Sequence, residues 1–158
     1  MKFLEKLPDS VIAEELGILC KDLALFSVEQ GNDVYLLTRG SGWRDVFVDP
    51  RYHMITGNIR DEEECRKQLE GMNFDVVVDF LTLNLDHLKT TLNIVLDKCR
   101  QYIFISSATV YHRQDENEVF SEEKSRIGDS VWSYANNKVE CERYLNENYS
   151  DKKKSVIR

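Results

Sequence analysis

The segment Phe74–Phe80 constrains the fold of this chain more than any other. It reads FDVVVDF, has the length of a strand, is rich in β-branched residues and is apolar on both strand faces. Strands of this kind lie in the middle of parallel sheets, which helices cover on both sides. A second buried strand is predicted at Tyr102–Ile105. We therefore expect a parallel sheet between two layers of helices.

The rest of the chain alternates between helical and strand periodicity. Helices are predicted from Leu16 up to a glycine stop at Gly31, and over 61–70, 84–99 and 133–148. Further strands are predicted at 11–13, 33–38, 52–56 and 155–158, and a long polar segment, 108–131, is predicted to be a structureless loop. This alternation predicts right-handed βαβ units, and hence an α/β protein with a doubly wound parallel sheet.

Composition excludes several classes of function. With 28 acidic and 21 basic residues among 158, the formal charge of −7 argues against nucleic-acid binding. No apolar run reaches the roughly 20 residues that span a bilayer, and the start of the chain has no signal-peptide core. The four cysteines form no CxxC pair, which indicates reduced thiols, no metal site and a cytoplasmic protein.

Three polar residues point to chemistry. Tyr134 and Lys138 are four residues apart and share one helix face, where an ammonium stabilises a phenolate and favours general acid/base catalysis. Alone, the pair is better explained as an exposed tyrosine beside a solvated lysine. Ser107 follows a buried strand, at the edge where open α/β sheets bind their ligands. The three histidines are predicted to be solvated or packed, with only His112 near this edge.

Two segments resemble a known superfamily. The segments YIFISSATVY (102–111) and YANNKVE (134–140), with a helix and strand over 23–40, are similar to the extended short-chain dehydrogenases/reductases, in their branch of NAD(P)-dependent epimerases and dehydratases. Gly57-Asn58-Ile59-Arg60-Asp61 occupies the place of the adenine-side turn of that family.

The resemblance implies a Rossmann-like fold, a small nucleotide-sugar-like substrate, and Ser107, Tyr134 and Lys138 as catalytic residues. The SATV sequence after the strand resembles the epimerases more than the dehydratases. The cofactor would be NAD or NADP, and the implied cofactor-binding residues are Gly17, Arg39, Asn58, Ile59, Phe80 and Lys138. Thr38 and Arg39 suit a 2′-phosphate and so favour NADP slightly, although Arg39 fits a plain loop cation equally well. Family dimers imply contacts through helices 84–99 and 133–148, where Leu92, Val95 and Leu96 could face a partner or the sheet.

Two features depart from the family pattern. The family has a loop with three glycines, and this chain has Glu14, Gly17 and Cys20 at those positions. The negative charge of Glu14 would therefore lie near a pyrophosphate. The sequence is predicted to be one incomplete NAD(P)-binding domain over 1–158, weakly indicated in 1–13 and truncated before a substrate lobe.

These departures leave a second hypothesis, from a different functional class. It is an inactive or truncated Rossmann-like module that binds dinucleotide weakly or not at all and acts as a binding or scaffold protein. RNA binding is a third hypothesis, and the charge of −7 argues against it.

Overall fold

Six parallel strands form a single sheet that positions the described candidate residues. The computed structural model describes residues 9–13, 18–39, 50–112, 119, 121–122, 126–128, 131–150 and 153–158. The strands of this sheet are β1 (Asp9–Ala13), β2 (Asp33–Thr38), β3 (Tyr52–Thr56), β4 (Phe74–Asp79), β5 (Cys99–Ile105) and β8 (Lys154–Ile157). The helices are α1 (Ile18–Glu29), α2 (Glu62–Gln68), α3 (Leu85–Val95) and α4 (Ser133–Asn148).

The strand order is β3-β2-β1-β4-β5-β8, with parallel pairing throughout. The chain moves outward from β1 to β3, then crosses back to β4 and moves outward in the other direction. This is the order of a Rossmann-type doubly wound sheet, so the predicted fold class is confirmed. The crevice at the reversal lies beyond the carboxyl ends of β1 and β4.

Two apolar clusters hold the helices on opposite faces of the sheet. The larger cluster joins Cys65 of α2, Leu88 of α3 and Leu145 of α4 to the sheet, and the smaller joins Cys20 of α1 to Val34 of β2. Strand β2 contributes side chains to both clusters, Leu37 to the larger and Leu36 to the smaller, and β4 is buried along nearly its whole length.

The leucines and valine proposed for a dimer contact face the sheet. Leu92 and Val95 are buried in the larger cluster, and Leu96 packs against it. Of the two alternatives for these residues, the structure therefore favours packing within one chain. A homodimer through α3 and α4 stays a prediction.

Local signals set where the first two helices end or begin. Helix α1 ends at Glu29, and Gly31 follows with φ +81°. The amide of Gly31 donates to the Val28 carbonyl (2.9 Å) and the amide of Asn32 to that of Ser27 (3.1 Å), which is a Schellman motif. The predicted glycine stop is thus confirmed. Asp61 caps α2 by accepting a hydrogen bond from the Glu64 amide at 3.0 Å.

The prediction of a structureless loop over 108–131 was wrong for the part of it that the structure describes. A 3₁₀ turn spans Ala108–Val110, and β6 (Tyr111–His112) pairs antiparallel with β7 (Arg126–Ile127). These strands have two residues each and no apolar run, so periodicity could not reveal them.

Candidate functional site at the carboxyl edge of the sheet

Lys138 lies on α4 and bridges the carboxyl ends of two central strands. The residue is 2 % exposed, and its Nζ donates to the main-chain carbonyls of Thr82 (2.6 Å) and Ile105 (2.8 Å). The ammonium also lies 4.6 Å from the centre of the Phe104 ring, a cation–π distance. Burial lowers the pKa of Lys138, and the negative charge of Asp79 acts against that shift.

Tyr134 lies one turn earlier on the same face of α4. It is half-buried, and the Lys138 ammonium is 5.8 Å from the centre of its ring. The centre of the Trp132 ring, just before the helix, lies 5.3 Å from the centre of the Tyr134 ring. The predicted proximity of the phenol and the ammonium is therefore present, and hydrogen bonds to two main-chain carbonyls hold the ammonium in place.

Ser107 follows β5 and caps the 3₁₀ turn, which packs against α4. Its Oγ accepts hydrogen bonds from the amide (3.3 Å) and the hydroxyl (2.9 Å) of Thr109. Because of these bonds, the position of the hydroxyl is fixed by local structure. Ser107, Tyr134 and Lys138 thus all lie at the carboxyl edge of the sheet, around the end of β5.

A buried carboxylate that sequence reasoning missed lies beneath these residues. Asp79 ends β4 and is fully buried, with Oδ1 accepting from the amides of Leu81 (2.7 Å) and Thr82 (2.9 Å). Its Oδ2 accepts from the hydroxyls of Thr82 (2.6 Å) and Tyr102. Burial, then the adjacent Asp79 charge, raises the pKa of Tyr102 well above its ordinary value, so the phenol stays a donor. An acidic residue inside an apolar strand was the available sequence signal.

A second buried carboxylate, Glu142, connects α4 to the two outer strands of this side. Its side chain accepts from the Ser106 hydroxyl (2.6 Å) and pairs with the guanidinium of Arg158 (2.7 Å). Hydrogen bonding to Glu142 raises the pKa of Arg158, which also donates to the Tyr111 hydroxyl at 3.3 Å. Glu142 is four residues after Lys138, so the buried face of the helix continues through both.

A cavity of about 130 Å³ opens at the ends of the strands on the other side of the crevice. It is lined by the last two residues of β2, by residues that follow β2, β3 and β4, and by one residue of α3: Leu37, Thr38, Arg39, Gly57, Asn58, Ile59, Arg60, Leu81, Leu83 and His87. Gly57 leaves little space, since a Cβ there would lie 3.3 Å from Leu37 and 3.4 Å from Cys65. Apolar walls with a polar rim suit a flat heterocycle such as a nucleotide base.

Two cavity residues were not singled out by sequence reasoning. The Arg60 guanidinium donates to the carbonyl oxygens of Leu81 (2.6 Å) and His87 (3.3 Å) and so ties the β4 exit to α3. The His87 Nδ1 is the one buried side-chain nitrogen or oxygen without a hydrogen-bond partner in the described part of the chain. Burial, then the Arg60 charge, lowers the pKa of His87, so the ring is neutral near pH 7. His87 therefore lies beside the candidate site, in addition to His112, which the sequence places near this edge.

The predicted cofactor-binding residues are distributed unevenly. Arg39, Asn58 and Ile59 meet in the cavity, where the Asn58 Oδ1 accepts from the Arg60 amide at 3.1 Å and the Ile59 side chain packs into the core. Phe80 is half-buried and packs against the α1-side cluster, outside the cavity lining. Gly17 lies outside the described residues, as does Glu14.

The cysteines are buried thiols. All four are buried and none forms a disulfide, and burial raises the pKa of Cys65 to about 11 and that of Cys141 to about 12. Within the described ranges, no cluster of His, Cys, Asp and Glu is arranged to hold a metal ion. The helices of those ranges are all too short or too polar to cross a membrane.

Comparison with known proteins identifies the fold. No family model and no curated protein sequence matches the chain. Among solved structures, it is similar to UDP-glucose 4-epimerase from Bifidobacterium longum, in complex with NAD⁺ and UDP, with a TM-score of 0.77 and 18 % identity over 95 % of this chain and 52 % of that one. UDP-glucose 4-epimerase from Thermotoga maritima with UDP-glucose gives a TM-score of 0.75 and 16 % identity over 95 % of this chain and 54 % of that one.

A dehydratase has the same fold. dTDP-glucose 4,6-dehydratase from Bacillus anthracis, in complex with NAD, gives a TM-score of 0.74 and 14 % identity over 94 % of this chain and 53 % of that one. The chain therefore has the fold of NAD-dependent epimerases and dehydratases, as the sequence resemblance implies, and spans about half the length of these enzymes.

Proposed function

We propose that this chain, with the fold found in about half of each of those enzymes, is the NAD(P)-binding part of an epimerase/dehydratase-like oxidoreductase. The observation that supports this most is the arrangement of Ser107, Tyr134 and Lys138 around the end of β5. It lies at the edge where doubly wound sheets bind ligands, on the other side of the crevice from a base-sized cavity.

The described residues fit the adenosine part of a dinucleotide. The cavity has apolar walls, and the unpartnered Nδ1 of the neutral His87 ring lies beside them. Asn58 lines the cavity with an amide, and Arg39 adds an exposed cation after β2. We infer a slight preference for NADP from Arg39, since a guanidinium suits a 2′-phosphate.

The residues around β5 suit the transfer of a proton from a sugar hydroxyl. When bound, the nicotinamide would accept a hydride from the substrate carbon and return it. Tyr134, as phenolate, would take the hydroxyl proton while the carbon–oxygen bond becomes a carbonyl, and the phenol would give the proton back on reduction. The Ser107 hydroxyl would bind the same substrate oxygen. Lys138 keeps positive charge near the phenolate, and its third N–H, which has no oxygen partner among the described residues, would hold a cofactor ribose.

A Tyr134→Phe substitution tests this assignment. Turnover of a nucleotide sugar such as UDP-glucose, followed by NMR with NAD⁺ or NADP⁺, should fall at least about 100-fold, because the acid/base oxygen is removed. Tyr144→Phe, on the same helix, is the matched control and should leave turnover unchanged. Equal turnover of the Tyr134→Phe variant and the unchanged chain would refute the assignment.

A second candidate is a Rossmann-like module without catalysis. One observation favours it: Cys20, at a family glycine position, is fully buried between α1 and the sheet. A side chain therefore fills the place where a glycine would let the helix approach closely. This candidate predicts no dinucleotide binding at millimolar concentration.

A further inference from the structure

Asp79 controls the shape of the chain where it leaves β4. One oxygen of its carboxylate accepts hydrogen bonds from the main-chain amides of Leu81 and Thr82. The other oxygen accepts a hydrogen bond from the Thr82 hydroxyl. Side-chain acceptance of amides two and three residues ahead is how aspartate fixes a turn. The Tyr102 hydroxyl, from the neighbouring strand β5, holds the carboxylate from the other side.

The turn that Asp79 fixes ends at Thr82, whose main-chain carbonyl accepts a hydrogen bond from the Lys138 ammonium. That carbonyl lies 2.6 Å from the Nζ, closer than the Ile105 carbonyl at 2.8 Å. The position of the ammonium therefore depends on the turn as well as on the end of β5. The same ammonium lies 5.8 Å from the Tyr134 ring.

Charge connects the same groups. Lys138 is buried, which disfavours its ammonium, and three groups oppose that effect: Asp79 on β4, then Cys141 and Glu142 on its own helix. Glu142 is already paired with Arg158, whereas the described residues give Asp79 no cationic partner within ion-pair distance. Tyr134 also lies beside the ammonium, and Tyr102 contacts Asp79 as a phenol whose pKa is raised well above its ordinary value by burial and by the Asp79 charge.

We propose that Asp79 is a positioning residue, which acts through the Thr82 carbonyl and its own negative charge to hold Lys138 beside Tyr134. The link to Tyr134 rests on the proposed function. The link to Lys138 is a property of the folded chain and requires no cofactor.

The test measures the pKa of Lys138 in the whole chain. Lysine labelled with ¹³C at Cε reports the titration, and the Lys138 resonance is assigned by its loss in Lys138→Arg. Asp79→Asn keeps the shape and a carbonyl acceptor but removes the charge. We expect it to lower the pKa of Lys138 by about one unit or more.

Asp75→Asn is the matched control, because Asp75 is a buried carboxylate on the same strand that pairs with Arg100 at the opposite end. The pKa of Lys138 in this variant should stay within about a few tenths of a unit of its value in the unchanged chain, because solvent screens a distant charge. An unchanged Lys138 pKa in a folded Asp79→Asn variant would overturn the proposal, as would an equal shift in both variants.

A second variant keeps the proposal testable if Asp79→Asn does not fold. Thr82→Val removes the hydroxyl bond to Asp79 but keeps the carboxylate and the Thr82-position carbonyl. The loosened turn should expose the ammonium, so its protons should exchange with water several-fold faster, with Thr90→Val on α3 as control. Unaltered exchange in Thr82→Val would contradict the positioning role. Neither measurement depends on the cofactor, so a failure of the proposed function would instead appear as absent dinucleotide binding.

Discussion

The two sides of the crevice differ in how their polar groups are satisfied. Around β4, β5 and α4, charged side chains are buried and hydrogen-bonded: Asp79 accepts four hydrogen bonds, and Lys138 donates to two carbonyls. Around β2 and β3, an open cavity contains a buried histidine nitrogen with no partner. The first side is organised in the free protein, whereas the second leaves polar capacity for a ligand.

This difference has a physical consequence for stability. A buried and bonded charge is costly to break, because removing one partner leaves the others desolvated and unpaired. An unpartnered nitrogen beside a cavity costs stability in the free protein and is relieved by a suitable ligand. Substitutions on the two sides should therefore have opposite effects on unfolding.

The largest effect is expected from Asp79→Ala. The substitution leaves two amides and two hydroxyls without an acceptor. It also removes the negative charge that most strongly stabilises the Lys138 ammonium. We expect the free energy of unfolding, measured in urea, to fall by about 3–5 kcal/mol. Asp97→Ala, at an exposed position, is the control, and a loss below about 1 kcal/mol for Asp79→Ala would break the comparison.

Glu142→Gln should have the next largest effect. It keeps the volume and one acceptor for Ser106 but converts the ion pair with Arg158 into a neutral bond. Chemical denaturation should show a loss of roughly 1.5–3 kcal/mol, the range for hydrogen bonds to charged groups. Glu140→Gln, exposed on the same helix, should change little, and equal losses in the two variants would show that the buried pair adds nothing.

Alkaline pH should destabilise the fold through two buried thiols, Cys141 of α4 and Cys65 of α2. The pKa of Cys141 is about 12 and that of Cys65 about 11 in the folded chain, against 9.0 for an ordinary thiol. Between pH 9 and 11, the folded state keeps protons that the unfolded state releases, so stability is lost as the pH rises. Lys138, whose pKa is lowered, opposes this loss below its ordinary value of 10.5. Urea unfolding of Cys141→Ala should therefore lose less stability from pH 8.5 to 10.5 than the unchanged chain, and parallel losses would contradict this assignment.

The smallest effect is expected on the cavity side. His87→Leu removes the unpartnered Nδ1, while the main-chain amide at position 87 still donates to the Oδ1 of the N-cap residue Asn84 (2.9 Å). Thermal unfolding should show stability unchanged or raised by up to about 1 kcal/mol. A large loss would mean that His87 is satisfied in solution and that the two sides do not differ as described.

The parts of the fold that the sequence predicted depend on local pattern. Apolar runs of strand length and helical spacing specify β4, β5, α3 and α4, and the parallel order follows from their alternation. The ribbon of β6 and β7 was missed because it depends on pairing between distant polar residues. Similarly, Tyr134 and Lys138 were recognised by their spacing, but the burial of Lys138 depends on Thr82, which is 56 residues away in sequence. Asp79 and His87 have partners or environments that only the folded chain brings together.

Dinucleotide binding by the folded chain tests the proposed function most directly. NADPH and NADH are titrated separately into ¹⁵N-labelled protein, with fluorescence giving the affinity and amide shifts giving the location. We expect saturable binding with a Kd in the micromolar range, tighter for NADPH, and shifts at Thr38, Asn58 and His87, which line the cavity. No binding of either cofactor at millimolar concentration, or shifts confined to the opposite edge of the sheet, would contradict the proposed function.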